Sequence, residues 1–177
     1  MCHKKSQSNL DFRFMSFFFK IRDFFKSPMK KVDKAEIKKG DFVLDYGCGP
    51  GSYTLKAAEI VGSSGKIFAA DIHPLAIKKV RNKAEKKGLI NIETILTDCN
   101  TELENNSIDI IMCFDVLHDI EDKECILQEF HRILKLNSIL TLDDHHMEEN
   151  DIIKTITAKE RFKLVKREEK VYLFSKI

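Results

Sequence analysis

The run Val43-Leu44-Asp45-Tyr46-Gly47-Cys48-Gly49-Pro50-Gly51-Ser52-Tyr53 constrains this chain more than any other segment. It sets three glycines directly after an apolar strand and directly before a helix. Glycine belongs where a ligand comes too close to the backbone to admit a Cβ, and where a tight turn needs unusual φ/ψ. The strand–turn–helix pattern then repeats. Phe42-Val43-Leu44 reads as a strand buried on both faces, and Tyr53 to Val61 as a helix. Gly62-Ser63-Ser64-Gly65 is a turn, Lys66 to Ala70 a strand and Pro74 to Lys87 a helix. Pro74 suits the first turn of that helix and Gly88 lies just past its end. Ile92 to Leu96 and Ile108 to Phe114 are strands, and Lys123 to Lys135 is an amphipathic helix whose buried stripe ends on Ile133 and Leu134. Ile139 to Leu142 is a strand, Glu149 to Ala158 a helix, and Phe162 to Val165 with Val171 to Phe174 a closing antiparallel pair. Such alternation specifies an α/β fold, a mostly parallel sheet with helices on both faces and right-handed crossovers. A sheet of this kind binds its ligand beyond the carboxyl ends of its strands, at the switch point.

The chain has 177 residues, 43% apolar and 33% charged, which suits one soluble globular domain. Five cysteines, at 2, 48, 99, 113 and 125, are odd in number and never spaced as C-x-x-C. That spacing speaks against a disulfide framework or structural zinc and for a reducing, cytoplasmic setting. No secretory leader is evident, and no run approaches the roughly 20 apolar residues that span a bilayer. The net charge of +2 is unevenly spread: residues 1–39 carry 11 Lys/Arg against 4 Asp/Glu, the remainder 19 against 24. Residues 12–25, FRFMSFFFKIRDFF, place Phe14, Phe17, Phe18, Ile21 and Phe25 at helical spacing. A second short helix is expected from Met29 to Ile37. Residues 1–37 therefore read as a basic, Phe-rich helical arm, and 38–177 as the nucleotide-binding domain. The arm has three open readings: a lid over the site, a peripheral membrane contact through residues 12–25, or plain packing.

Two details narrow the ligand. The glycines read G-x-G-x-G, and an acid, Asp45, closes the strand. A pyrophosphate wants bare amides and a helix N-terminus, so a carboxylate beside it repels. A ligand carrying an ammonium and a sulfonium is instead attracted. An NAD-linked oxidoreductase, the obvious alternative on a similar sheet, is thereby disfavoured. Two further acids fall at strand ends. Asp71 follows Phe68-Ala69-Ala70, where a carboxylate can accept both ribose hydroxyls, and Asp98 follows Ile95-Leu96-Thr97, within reach of an adenine amino group. Any one of these acids is as readily a cap or turn residue; three around one glycine loop make a nucleoside site.

These segments, VLDYGCGPG with AADIHP, LTDCN and FDVLHDI followed by a helix ending RILK, resemble the class I S-adenosylmethionine-dependent methyltransferases. The likeness covers roughly residues 38–177 and falls in the small-molecule branch that includes quinone-biosynthesis methyltransferases. It implies a doubly wound, Rossmann-like sheet of seven strands with the last antiparallel, and S-adenosylmethionine as cofactor, leaving S-adenosylhomocysteine. Carried over, Asp45 with the backbone around Gly47, Gly49 and Gly51 holds the methionine part, Asp71 the ribose, and Ile72 packs on adenine. Asp98 and the Cys99 amide read the adenine edge, and the Phe114 carbonyl takes the ammonium. One departure stands out: relatives carry Pro-Gly-Gly before the fifth strand, where this chain has Leu136-Asn137-Ser138. Asn tolerates a left-handed conformation, so the turn is expected to persist.

Methyl transfer is an in-line displacement in which positioning dominates, and a general base is needed only where the acceptor holds its proton. The segment Phe114-Asp115-Val116-Leu117 lacks the Asn/Asp-Pro-Pro-aromatic motif of amino-group DNA methyltransferases, and no Pro-Cys nucleophile is there. Nucleic acid is therefore disfavoured and a small molecule preferred. Candidate acid–base residues are His118, Asp119, His145 and His146, in loops expected to face the methyl group. Each is also readable as a solvated loop residue. Asp143-Asp144-His145-His146 invites a metal reading, but neighbours on a strand end point opposite ways and no distant partner is evident, so no metal is assigned. Cys48, Cys99 and Cys113 read as small buried residues, not as ligands of a soft acceptor. A module that binds cofactor without turnover, recruiting partners or a membrane, stays open because no substrate-binding domain is inserted.

Overall fold

A computed structural model describes residues 29–177. The expected Phe-rich helix at 12–25, and with it most of the arm, lies outside the described residues. The elements are α1 (Met29–Lys34), β1 (Phe42–Tyr46), α2 (Ser52–Val61), β2 (Lys66–Asp71), α3 (Pro74–Lys87), β3 (Ile92–Leu96) and β4 (Ile108–Phe114), then α4 (Lys123–Ile133), β5 (Leu134–Asp143), α5 (Glu149–Thr157), β6 (Phe162–Glu168) and β7 (Val171–Lys176). The seven strands form one sheet in the order β3-β2-β1-β4-β5-β7-β6. Strands β1 to β5 pair in parallel, while β7 runs antiparallel to both β5 and β6. The chain walks outward from β1 to β3 and returns to β4 on the far side of β1. The switch point therefore lies between β1 and β4, with the glycine loop on one side of it.

Strand pleating explains the layers. Val43 and Leu44 are successive residues and point to opposite faces. Leu44 joins Ile111, Phe130, Ile133, Leu140 and Phe174 in one core, and Val43 joins Val32, Ala57, Val61, Ile67 and Met112 in the other. Helix α3 begins as its sequence predicts, with Pro74 in the first turn, the His73 ring accepting the Leu75 N–H, and Gly88 closing the end at φ 64°.

Several boundaries differ from expectation, among them β6, which runs on to Glu168, and β7, which runs on to Lys176. Helix α1 stops at Lys34, short of Ile37, and Glu36 adopts φ 58° in the turn that follows. Helix α4 stops at Ile133, and Leu134, expected on its buried stripe, opens β5. Its apolar side chain satisfies either assignment, so periodicity does not separate them. The register of β4 on β5 passes from Ile108↔Leu134 to Ile110↔Ile139, and within the extra residues Asn137 takes φ 61°. The missing Gly-Gly is thus met by asparagine in the left-handed region, as its side chain permits.

Candidate active site

The glycine loop is tied to the neighbouring strand. Gly47 and Cys48 N–H groups donate to the Ala70 carbonyl at 2.8 and 3.0 Å, and the Gly49 N–H donates to Asp71 Oδ2 at 2.9 Å. Gly51 caps α2 at φ 85°. Asp71 Oδ1 also accepts the His73 N–H at 2.8 Å. Each Asp71 oxygen has a second lone pair to offer, so two ribose hydroxyls remain within its capacity.

Asp45 is buried. Its Oδ2 accepts from Thr54 Oγ1 at 2.5 Å, and no Lys, Arg or His among the described residues pairs with it. Burial, partly offset by the Thr54 bond and aided by the nearby Asp71 charge, pushes its carboxyl up to about 7. Burial likewise raises Asp71, against its backbone hydrogen bonds. Two desolvated carboxylates side by side form a site that a cation would relieve. Asp98 is exposed beyond β3, and its carbonyl accepts the Tyr46 hydroxyl at 2.8 Å. Ile72 is half-buried, and Phe114 is buried at the end of β4 with its ring against Tyr53, centroids 5.1 Å apart. The Cys99 N–H donates to Thr97 Oγ1 at 3.2 Å, so an adenine acceptor would have to share it.

The ends of β4 and β5 bring the acid–base candidates together. His118 sits in a 3₁₀ turn, Leu117–Asp119. Its Nδ1 lies 2.9 Å from Asp144 Oδ2 and 3.0 Å from Oδ1. His145 Nδ1 lies 2.6 Å from Asp115 Oδ1. The His146 ring stands between them, 4.3 Å from that of His118 and 3.9 Å from that of His145. Asp119 is exposed at the rim. Asp143 and Asp144 point opposite ways, Asp143 to Lys31 and Asp144 to His118. Among the described residues no three of these side chains are arranged to hold a metal ion.

Sequence reading missed the anchors. Lys31, from α1, donates to Asp115 Oδ2 at 3.0 Å and to Asp143 Oδ1 at 2.9 Å. Burial works against its charge, but Tyr53, Asp143 and Asp115 outweigh it and hold the ammonium above its ordinary value. Burial also opposes ionisation of Asp115, yet His145 and Lys31 hold that carboxyl well below the carboxylate range. Burial raises Asp143 against the pull of Lys31. Nothing local announces Lys31: its partners are 84 and 112 residues away. The acids at the β5 end are visible as a motif, but not that Asp143 meets Lys31 and Asp144 meets His118.

The cysteine reading needs correction. Cys99 and Cys125 form a disulfide, joining the loop after β3 to the first turn of α4. Two crossovers end on the same rim of the sheet, which brings together residues 26 apart without any local spacing signal. Cys48 and Cys113 are free and buried, and burial pushes both thiols up. Closing a loop of that length restricts the unfolded chain by about 3 kcal/mol. Scanning calorimetry should therefore show a lower melting temperature after thiol reduction. Cys125→Ser should melt at the reduced value and no longer respond to reductant.

The fold defines a class, the Rossmann-like proteins, whose open parallel sheets bind their ligands at the switch point, here between β1 and β4. The family is narrower. The methyltransferase-domain model matches residues 37–174, and the chain belongs to that family. It is 40% identical over 91 residues to aklanonic acid methyltransferase DauC of Streptomyces, covering 50% of this chain and 41% of that protein. It is 30% identical over 124 residues to the ubiquinone/menaquinone biosynthesis C-methyltransferase UbiE of Pseudoalteromonas translucida, covering 69% and 49%. The chain thus spans about half or less of the length of these relatives. The fold matches a solved SAM-dependent methyltransferase from Aquifex aeolicus at TM-score 0.77 and 22% identity, covering 87% of this chain and 91% of that one. Among the described residues no helix is long and apolar enough to cross a membrane. The residues present fit S-adenosylmethionine. Buried Asp45 and half-buried Asp71 would suit the positive charge of the methionine part, and Asp71 keeps acceptor capacity for a diol.

Proposed function

We propose that this protein transfers a methyl group from S-adenosylmethionine to a small, apolar or aromatic molecule. The observation that carries the reading is Asp45: a buried carboxylate with no cationic partner among the described residues, beside a glycine loop, has no use in a pyrophosphate site and a direct use against an ammonium and sulfonium. The cofactor, when bound, supplies a methyl carbon made electrophilic by positive sulfur. Asp45 and the backbone at Gly47, Gly49 and Gly51 take its methionine part, and the Phe114 carbonyl its ammonium. Asp71 takes the ribose, and Ile72, Asp98 and Cys99 surround the adenine. His118, Asp119, His145 and His146 face the acceptor. We place the reaction in the cytoplasm, where the Cys99–Cys125 pair would be exposed to cellular thiols.

The Phe-rich arm serves in this reading as a lid that lines an apolar acceptor pocket. Support comes from the chain itself: Lys31 reaches the acids at the β4 and β5 ends. Calorimetric titration of the full chain with S-adenosylhomocysteine and with NADH tests the function. Heat from the first and none from the second is expected, and the reverse would overturn the reading. Deleting residues 1–26 should leave S-adenosylhomocysteine affinity within about threefold and remove turnover. An equal loss of both would defeat the lid.

A further inference from the structure

Three histidines crowd the rim, but their surroundings are unequal. His145 is anchored by Asp115, which is shared with Lys31, and its side chain is 57% exposed. His146 lies tilted between the other two, and among the described residues its ring nitrogens form no hydrogen bond to a carboxylate. His118 differs. Its side chain is 26% exposed, and its anchor, Asp144, is completely buried. Asp144 accepts from three donors on two segments: the His118 N–H at 2.9 Å to Oδ2, the His146 N–H at 3.0 Å to Oδ1, and His118 Nδ1. Two of the three are backbone amides, which can only donate, so Asp144 is arranged as a pure acceptor, and the proton of its bond to the ring sits on Nδ1. Nε2 is left with its lone pair. Among the described residues Nε2 meets only Asp119 Oδ2, at 3.5 Å, beyond a good hydrogen bond.

The position is also right. Val116, two residues before His118, packs so closely on Gly47 that a Cβ there would overlap its side chain. Two residues span at most ~7 Å, so the His118 backbone lies within that distance of the residue touching the cofactor loop.

We propose that His118 is the general base of the transfer, that Asp144 is the residue that positions it, and that the acceptor is an aromatic or enolic hydroxyl compound. This rests on the methyltransferase reading above. A hydroxyl on an aromatic ring ionises near pH 10, so at neutral pH it arrives protonated and needs a base, whereas a carboxylate or an acidic thiol does not. The acceptor O–H bond breaks as its proton passes to Nε2. The oxygen electron pair forms the bond to the methyl carbon, and the carbon–sulfur bond breaks with its pair left on sulfur. The imidazolium, held by Asp144, then gives its proton to water, leaving the chain unchanged.

The test uses the full chain, first without any acceptor. In ¹⁵N-labelled protein bound to S-adenosylhomocysteine, NMR of the imidazole nitrogens should show His118 as the Nδ1–H tautomer, with that preference lost in Asp144→Asn. An Nε2–H tautomer in the wild type would overturn the proposal. Second, labelled methyl transfer is followed to 2-naphthol and to thiophenol at pH 8, where the thiol is already ionised. His118→Gln should lower kcat for 2-naphthol by about 100-fold or more with KM within threefold, and leave thiophenol within threefold. Equal losses on both, or on neither, would overturn it. If the wild type turns over neither compound, the tautomer decides. S-adenosylhomocysteine should bind both variants as it binds the wild type. Failure of the wild type itself to bind it would bring down the underlying methyltransferase reading, whereas normal binding with the wrong tautomer removes only this one.

Discussion

Replacing Asp45 by asparagine should remove most of the affinity for S-adenosylhomocysteine while making the ligand-free protein more stable. The carboxylate is buried, bonded among the described residues to Thr54, and pushed up to about 7 by burial, with a contribution from Asp71. An ionised group without a partner in that setting costs stability. In the unfolded chain the same carboxyl titrates near its ordinary 3.8. Between about pH 4 and pH 7 the folded state therefore holds a proton that the unfolded state has lost, so Asp45 destabilises the fold progressively as pH rises, by something on the order of 4 kcal/mol. Below pH 4 that contribution vanishes, and above pH 7 it is at its largest. Asparagine keeps the shape and the bond from Thr54 and removes the charge. Its melting temperature at pH 8 should exceed the wild type's by several degrees, with the gap narrowing as pH falls and closing only below pH 4. The cofactor's ammonium loses its counter-charge in the same variant. A charge-assisted bond is worth about 3 kcal/mol, so the dissociation constant should rise about 100-fold. Wild-type binding should tighten between pH 6 and pH 8 as Asp45 ionises, and the variant's should not. An affinity within threefold of wild type would show that Asp45 does not face the cation.

The contrast between Asp45 and Lys31 marks what sequence can disclose. The positions of Asp45, Asp71 and Asp98 are legible because each stands at or near the end of an apolar strand, Asp45 next to last in β1, Asp71 last in β2 and Asp98 two residues past β3. Strands β3 and β4 and helix α3 are legible for the same reason, each bounded by its own turn or cap. Leu134 is not, because one buried leucine fits a helix stripe and a strand equally well and no capping glycine follows it. Lys31 with Asp115 and Asp143, and Cys99 with Cys125, are pairings made by the topology across stretches of 26 to 112 residues. No spacing rule within either segment encodes them. The acid–base loops lie between these cases: the residues His118 and Asp144 are visible, but their contact depends on two crossovers landing side by side.

Gly47→Ala is expected to be strongly disruptive, and its damage should be partly reversible. Gly47 sits at φ 73°, where a Cβ is unwelcome, and that Cβ would overlap Val116 Cγ2 and lie 2.9 Å from Cγ1. Two costs of different origin are therefore combined. The left-handed backbone costs about 1–2 kcal/mol for a non-glycine residue, and forcing a methyl into occupied space about 1–3 kcal/mol more. A total of about 2–5 kcal/mol should lower the melting temperature by roughly 5–15 °C in a domain of this size. Cofactor affinity should fall with it, since the displaced segment carries the Gly49 amide that meets Asp71. Val116→Ala removes both Cγ atoms, so the double variant should recover the steric share and keep the backbone share. The two substitutions should then couple by about 1–3 kcal/mol in a double-mutant cycle, measured by denaturant unfolding. Strict additivity would mean that Val116 yields without cost, and that the glycine loop and the His118 turn are not locked together as their packing indicates.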